Sequence, residues 1–346
     1  MGYSLKPPFE PMEAELVREL PTGGCWQYEP KWDGFRCVAF RDGVDVYLQS
    51  KSGQDLTRYF PEIVNAVSAL RPRRFVLDGE LVIPLGSVLS FDALLTRIHP
   101  AESRIRKLSA ATPAHLIVFD LLTDDRGRSL LEETLDVRRA SLEKFAKRFF
   151  GGSNLIHLSP ATNDARIARK WLKASGGGLD GIVAKRCDAS YASGERTAMQ
   201  KVKQIRTADC VVGGFRYASK GKVVGSLLLG LYDADGLLNH VGYTSTMPQA
   251  IRAELTKKLE KMIESPGFSG RAPGGPSRWA RFRTSDEWKP LRPELVVEVE
   301  YSHFSGGRFR HGAKFVRWRP DKAPTQCTVD QLGLTKGSAA SLLPGL

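Results

Sequence analysis

Residues 29–36 read EPKWDGFR. A lysine, a carboxylate, a glycine and an arginine fall within the six positions from Lys31 to Arg36, between segments that alternate like strands. Asp33-Gly34 meets the steric needs of a tight turn, and charges beside a turn are ordinarily solvated. The competing reading makes Lys31 a nucleophile held in place by its neighbours. The remainder of the chain decides between them.

At 346 residues the chain has room for two domains of ordinary size, and 42% hydrophobic residues supply a core for each. The formal charge is +13, from 51 basic and 38 acidic side chains. Such an excess suits a phosphate-rich partner, nucleic acid above all. The five cysteines, at positions 25, 37, 187, 210 and 327, are odd in number, scattered and without a CxxC pair. That spacing argues against both a disulfide framework and a zinc site, and fits a reducing cytoplasm. The N-terminal segment has no signal-peptide apolar core. No apolar run of about 18 residues marks a membrane span. Met1-Gly2 matches a myristoylation signal only loosely, because Lys6 stands where Ser or Thr is usual.

Residues 26–50 read as paired strands with a turn at Arg41-Asp42-Gly43. Helical spacing follows over 58–70 and 130–149, and ARIARKWLKAS (165–175) forms a basic helix stopped by Gly176-Gly177-Gly178. FVLDGELVI (75–83), HLIVFDLL (115–122) and LDGIVAKR (179–186) are apolar strands interrupted by charge. After about residue 206 short strands predominate, with a hairpin turn at Asp235-Gly236, a helix near 248–264 and a loop over 265–278. ELVVEVEY (294–301) alternates apolar and acidic residues, one face inward and one outward. Short strands with one inserted helix suggest a small barrel of the OB type. A boundary near 205 separates a first part of net +5 (30 basic, 25 acidic) from a second of +8 (21 basic, 13 acidic).

Glu80, Asp120, Asp180 and Lys185 sit on strands where an apolar residue costs less. A buried charge costs several kcal/mol unless paired or metal-bound. Each alone is explained by a solvent face or a strand end. Four in one domain, together with KWDGFR, point to a shared polar pocket.

KWDGFR resembles the nucleotidyltransferase signature of ATP-dependent DNA ligases and mRNA capping enzymes. The resemblance continues in order through SKSGQDLTRYFPE, FVLDGELV, HLIVFDLL, LDGIVAKR, MQKVKQ and FVRWRPDKAP. WKPLRPELVVEVEY is similar to the barrel strand typical of DNA ligases. One KxDG arises by chance; the full set in order is specific. The implied fold is α+β: an adenylation domain of antiparallel sheets and helices over 1–205, then an OB-fold β-barrel domain over 206–346. Lys31 lies too near the start for a further N-terminal DNA-binding domain, so the compact bacterial architecture of the ligase C group is expected.

The resemblance implies three steps: lysine attack on ATP, transfer of AMP to a DNA 5′-phosphate, and closure by the 3′-hydroxyl. A free lysine has a pKa of ~10.4 and is almost wholly protonated at neutrality. Lys185, Lys201 and Lys203, partial burial and bound Mg²⁺ (or Mn²⁺) are expected to favour the neutral Lys31 amine. Asp33 acts in the opposite sense and is assigned to orientation of the lysine or to the metal shell. Lys201 and Lys203 alternate on a strand, so both reach toward the α-phosphate. Glu80 and Asp180 are oxygen donors for the metal or a ribose hydroxyl. By resemblance, Glu80 goes to the ribose and Asp180 to the metal. Phe119 stacks on adenine with Ile182 on its other face, and Glu29 lies near the adenine amino group. Arg36 and Lys51 hold the DNA 5′-phosphate or AMP. Arg317, Asp321 and Lys322 orient pyrophosphate from the barrel. Two departures stand out: Lys51 replaces the usual Arg and loses its bidentate fork, and Asp180 replaces the commoner Glu, one methylene shorter. The basic residues Arg278, Arg281, Arg283, Lys289 and Arg292 track duplex backbone or form a solvated loop.

The expected partners are nicked duplex DNA and DNA-repair proteins, with a monomeric, cytoplasmic protein. A capping-type guanylyltransferase shares the lysine and most motifs but not the ligase-like barrel strand. An RNA ligase and a non-enzymatic single-strand-binding barrel are further alternatives; the last leaves Lys31 idle.

Overall fold

The structure is a computed structural model and describes residues 5–86, 88–173, 179–219, 221–274, 287–332 and 342–343. Gly176-Gly177-Gly178 and the basic Arg278, Arg281 and Arg283 lie outside the described residues. Two compact units emerge, Met1–Gln204 with Thr335–Leu346, and Ile205–Leu334. The first unit contains strands β1 (Glu15–Val17), β2 (Trp26–Trp32), β3 (Phe35–Asp42), β4 (Asp45–Ser50), β5 (Arg74–Val82), β6 (His115–Thr123), β7 (Ile156–Leu158), β8 (Leu179–Arg186) and β9 (Met199–Val202). Its helices are α1 (Pro61–Ala69), α2 (Phe91–Arg97), α3 (Glu102–Ala111), α4 (Leu135–Phe149) and α5 (Ala165–Lys173).

These strands make two sheets, one in the order β1-β9-β8-β2 and one in the order β4-β3-β5-β6-β7. The chain crosses from the first to the second at Asp33-Gly34. The expected pairing of 26–50 is therefore corrected in part. β3 and β4 do pair, through a two-residue loop whose first residue, Gly43, has φ 63°, the backbone of a type II′ hairpin. β2 instead pairs with β8, far along the chain. Both faces of the second sheet are covered. Cys37, Ala39 and Leu77 pack toward Phe60 of the α1 start and Leu142 and Phe145 of α4, whereas Val38, Phe40 and Val76 pack with Met199 and Tyr191. Burial on both faces explains why these strands read as apolar runs rather than alternating ones.

α1 starts at Pro61, whose missing N–H is no loss in a first turn. α4 begins at Leu135, later than the pattern over 130–149 suggests. α2 and α3 escaped the periodicity reading. α2 has seven residues and is fixed by the Ser90 cap, whose Oγ accepts from Ala93 N; α3 buries only Ile105.

The second unit has strands β10 (Arg206–Tyr217), β11 (Val224–Tyr232), β12 (Leu238–Thr244), β13 (Val296–Tyr301) and β14 (Lys314–Trp318), with α6 (Arg252–Glu260) between β12 and β13. The sheet order is β12-β11-β10-β13-β14. A parallel bridge between Thr244 and Ala313 joins its two ends. A five-stranded barrel whose fourth strand returns to pair with the first, in Greek-key order, with a helix between the third and fourth strands, is the OB-fold. Phe215, Leu229, Leu259, Val297 and Val299 fill its interior. Among the described residues no helix is long and apolar enough to cross a membrane.

Asp120 does not join the polar pocket foreseen for it. Its two oxygens accept from Arg138 Nε at 2.9 Å and Nη2 at 3.1 Å, both side chains being fully buried. Truncation strands the Arg138 charge in the core. Asp120→Ala should therefore lower unfolding free energy by about 3–5 kcal/mol, read from the urea midpoint. A loss below about 1 kcal/mol means that the Arg138 bonds to the Glu133 and Ala189 carbonyls suffice.

Candidate active site

A cavity of about 710 Å³ opens in the first unit, lined by residues of both its sheets. β2, β8 and β9 contribute Glu29, Lys31, Val183, Lys185 and Lys201; the second sheet contributes Arg36, Glu80 and Phe119. The Lys31 side chain is 25% exposed there, so its amine is reachable yet surrounded.

The placement of Lys31 comes from an irregularity in the β2–β8 ladder. Trp32 pairs with Leu179 and Pro30 with Ile182. Two residues, Asp180 and Gly181, thus stand opposite Lys31 alone, which is a β-bulge; bulges re-aim side chains. Gly181 has φ +131°, and a Cβ there would lie 2.0 Å from the Val202 carbonyl and 3.0 Å from Lys203 Cα. Only glycine permits that backbone and that approach. The bulge thereby delivers the Asp180 carboxylate between two ammoniums. Asp180 Oδ2 is 2.8 Å from Lys31 Nζ and 2.9 Å from Lys203 Nζ.

Burial pushes the Lys31 ammonium down, but Asp180, Glu80 and Asp33 outweigh it and hold its pKa above the ordinary value. Among the protein's own groups, then, carboxylates and not the surrounding cations set the field at Lys31, which corrects the part assigned to Lys185, Lys201 and Lys203. Burial likewise pushes Asp180 up, and Lys31 and Lys203 reverse this, leaving it below its usual value. Lys201, at the cavity wall, is lowered by burial and by Lys31, Lys51 and Lys203. Asp33 is buried behind the cavity wall and acts on Lys31 through its charge.

Glu80 sits opposite Arg36 on adjacent strands and accepts from Gly34 N at 3.2 Å. A Cβ on Gly34 would fall 2.1 Å from the Leu81 carbonyl, so this crossing also demands glycine. Burial raises the Glu80 carboxyl to about 7, against the opposing pull of Lys31 and Arg36.

Other groups of the lining are internally neutralised. Lys185 Nζ lies 2.9 Å from Glu29 Oε1, which also accepts from Gln27 Nε2 at 2.6 Å. Arg36 Nε and Nη2 each donate to Asp78 at 2.5 Å, and Tyr191 Oη donates to the same carboxylate at 2.6 Å. Arg36 and Lys185 also stand 4.7 and 4.6 Å from the Phe119 ring centre. Both cations thus stand within cation–π range of that ring. Lys51, mostly exposed at the rim, pairs with Glu13 at 2.8 Å, and Glu13 also binds Arg196.

Ile182 requires correction. It is fully buried among Tyr28, Ala168 and Ala184, and Val183 lines the cavity instead. Strand alternation explains this: Val183 and Lys185 share one face, and Ile182 takes the other. Asp78 was missed although it lies two residues before Glu80; Tyr191 carried no sequence signal because a loop supplies it. In the second unit, Arg317 pairs with Glu298 at 2.7 Å, whereas Lys322 reaches Asp209 at 2.6 Å. Arg319, passed over in the sequence, ties that cluster together by binding both Asp321 and Asp209. Lys289 pairs with Glu287, and Arg292 is 3.7 Å from Glu264 and Glu294.

Hard cations such as Mg²⁺ are held by one or two carboxylates with substrate phosphates. Glu80 and Asp180 have that donor chemistry, so the residues present fit such an ion.

A reachable lysine in a cleft between two mostly antiparallel sheets, each with one parallel edge pair, in a chain that continues into an OB barrel, defines the covalent nucleotidyltransferase class. The family model described as ATP dependent DNA ligase domain matches residues 11–203, and that described as ATP dependent DNA ligase C terminal region matches 220–322. The chain belongs to the ATP-dependent DNA ligases. It is 45% identical over 343 residues to DNA ligase C1 of Mycolicibacterium smegmatis, covering 96% of each chain. Over 366 residues it is 42% identical to DNA ligase C of Mycobacterium tuberculosis, covering 100% of both. A solved Lig E DNA ligase superimposes with a TM-score of 0.54 at 18% identity, over 90% of this chain and 99% of that one, a likeness of fold. The chain is thus an enzyme of the compact bacterial type that uses ATP and acts on DNA.

Two outcomes follow from the electrostatics. The folded Glu80 pKa, about 7, exceeds its ordinary 4.5. Its contribution to stability is full below the unfolded value and is lost as pH rises through the folded one. Wild type should lose stability relative to Glu80→Gln between about pH 5 and about pH 8; parallel stability–pH curves would contradict the shift. Asp180→Asn should lower the pH midpoint for labelling of Lys31 by an amine-reactive reagent, mapped by mass. An unchanged midpoint removes Asp180 from control of that amine.

Proposed function

We propose that this ligase seals 3′-hydroxyl/5′-phosphate nicks in duplex DNA through a covalent lysyl-AMP on Lys31. In the first step Lys31 Nζ attacks the α-phosphorus of ATP; a P–N bond forms and the bond to pyrophosphate breaks. The AMP then passes to a DNA 5′-phosphate. The 3′-hydroxyl finally attacks that phosphate, making the phosphodiester and releasing AMP. The observation that supports this reading is the reachable Lys31 amine held by Asp180 beside Lys203, facing a cavity large enough for a nucleotide.

A nucleophilic amine must first give up its proton. Lys203 bears on this because it shares the same Asp180 oxygen. When Lys31 turns toward a phosphate, Asp180 remains neutralised by Lys203, so the buried carboxylate is not left alone. Lys201, already displaced toward the neutral form, bears a charge that an incoming phosphate stabilises. Glu29 and Lys185 form the polar end of the base slot beside Phe119. Glu80 faces the ribose. Mg²⁺ or Mn²⁺, held by Asp180 and Glu80, would supply positive charge for gathered phosphate oxygens.

Arg36 is held by Asp78 in one orientation, ready for the AMP or DNA 5′-phosphate. Lys51, exposed and paired with Glu13, is free to exchange that partner for a DNA phosphate. Arg317, Asp321 and Lys322 of the barrel are assigned to the pyrophosphate in the first step. Residues 1–205 are assigned to the adenylation domain and the barrel of 206–346 to the OB-fold domain, whose chain returns to the first unit at Leu342 and Leu343. The protein acts as a cytoplasmic monomer in DNA repair, with repair proteins as partners.

Mixing the chain with ATP and Mg²⁺ should add the mass of one AMP, and Lys31→Ala should abolish the gain. An adduct formed with GTP only would overturn the assignment. Lys203→Ala should slow nick sealing by orders of magnitude. Lys51→Ala should impair sealing more than self-adenylation; equal losses at both steps would remove Lys51 from the DNA-phosphate role.

A further inference from the structure

Two cysteines separated by most of the first unit's length meet on its surface. Cys187 follows the last residue of β8, and Cys25 precedes the first residue of β2. The Trp26–Arg186 pairing sets them opposite each other, and Cys187 N donates to the Cys25 carbonyl at 3.1 Å. Asp136, in the first turn of α4, joins them: its N–H donates to the Cys187 carbonyl at 3.2 Å. The Cys25 and Cys187 sulfurs and an Asp136 carboxylate oxygen all lie within 4.8 Å of one another.

We propose that Cys25, Cys187 and Asp136 form a three-ligand site for a thiophilic divalent cation of the zinc class, with a fourth position open to water. Zinc bonds of ~2.3 Å to sulfur and ~2.1 Å to oxygen place tetrahedral neighbours roughly 3.5–3.8 Å apart, within the span already present. Thiolates select zinc-class ions over Mg²⁺. Three different elements supply the ligands, and backbone hydrogen bonds fix all three before any ion arrives. Asn163 Nδ2, 3.6 Å from Cys187 Sγ and 3.2 Å from the Trp26 carbonyl, orients the buried sulfur from behind. Cys187 is buried, while Cys25 and Asp136 are exposed, so an ion enters from solvent against a fixed inner ligand. Binding forms two metal–sulfur bonds and one metal–oxygen bond and releases two thiol protons to solvent; no electron is transferred. The site lies six residues before Lys31, about 20 Å along extended chain. Its role is to staple the start of β2, the end of β8 and the first turn of α4.

The test uses the full chain, reduced, with Co(II) as a spectroscopic probe. One equivalent should give a near-ultraviolet sulfur-to-cobalt charge-transfer band, and Zn(II) should displace it. Cys25→Ser, an exposed change compatible with the fold, should abolish the band. Asp136→Asn should weaken binding by about tenfold or more. Zn(II) should raise the thermal midpoint of wild type but not of Cys25→Ser. Absence of the band in wild type, or an equal band in Cys25→Ser, overturns the proposal.

Discussion

One carboxylate oxygen shared by two ammoniums is the constraint around which the first unit's cleft is built. Asp180 reaches both Lys31 and Lys203 only because the β8 backbone gains a residue opposite Lys31. That extra residue must be glycine, since the neighbouring chain passes where a Cβ would be. Local backbone geometry, strand packing and charge placement are therefore a single requirement. It also sets the chemistry. An isolated buried lysine becomes neutral to escape desolvation, whereas a buried lysine against a carboxylate stays charged. Lys31 is of the second kind, with the second ammonium already in place to keep Asp180 satisfied.

The groups lining the cleft differ in how firmly they are held. Glu29 with Lys185, and Arg36 with Asp78 and Tyr191, form closed pairs whose members are largely buried. Breaking a buried pair costs several kcal/mol, so these side chains are held rigidly. Lys31 and Lys203 are one-quarter exposed and share one Asp180 oxygen, and Lys201 lies at the cavity surface. Because Asp180 has two ammonium partners, one of them can turn away without stranding the buried carboxylate. The cleft thus combines rigid pairs with a lysine whose departure costs less.

Much of this was legible in the chain itself. Glu80, Asp180 and Lys185 announced themselves as charges on apolar strands and Lys31 through KWDGFR, and the cavity gathers or borders all four. Asp120 gave the same signal for a different reason: its partner is Arg138, on a helix whose inward face carried no mark in the sequence. Ile182 was misplaced because its motif was read as a unit. Alternation alone assigns Val183 to the cleft. The sign of the Lys31 shift was beyond reach, since it depends on which oxygen of which carboxylate lies nearest. β2 pairs with β8 rather than with its neighbour, and no local pattern reports a contact across some 150 residues.

That same long-range pairing decides the fate of the cysteines. By spacing they are scattered, and spacing argued against a metal. The β2–β8 ladder brings Asp180 to Lys31 at one end and Cys187 to Cys25 at the other. A register slip of one residue would turn every side chain of β8 to the opposite face. It would part Lys31 from Asp180 and Cys25 from Cys187 together. A cation bound at the cysteine end then does more than add local stability. It disfavours slipped pairings of the ladder whose bulge positions the lysine, and so acts on the geometry of the amine without touching it.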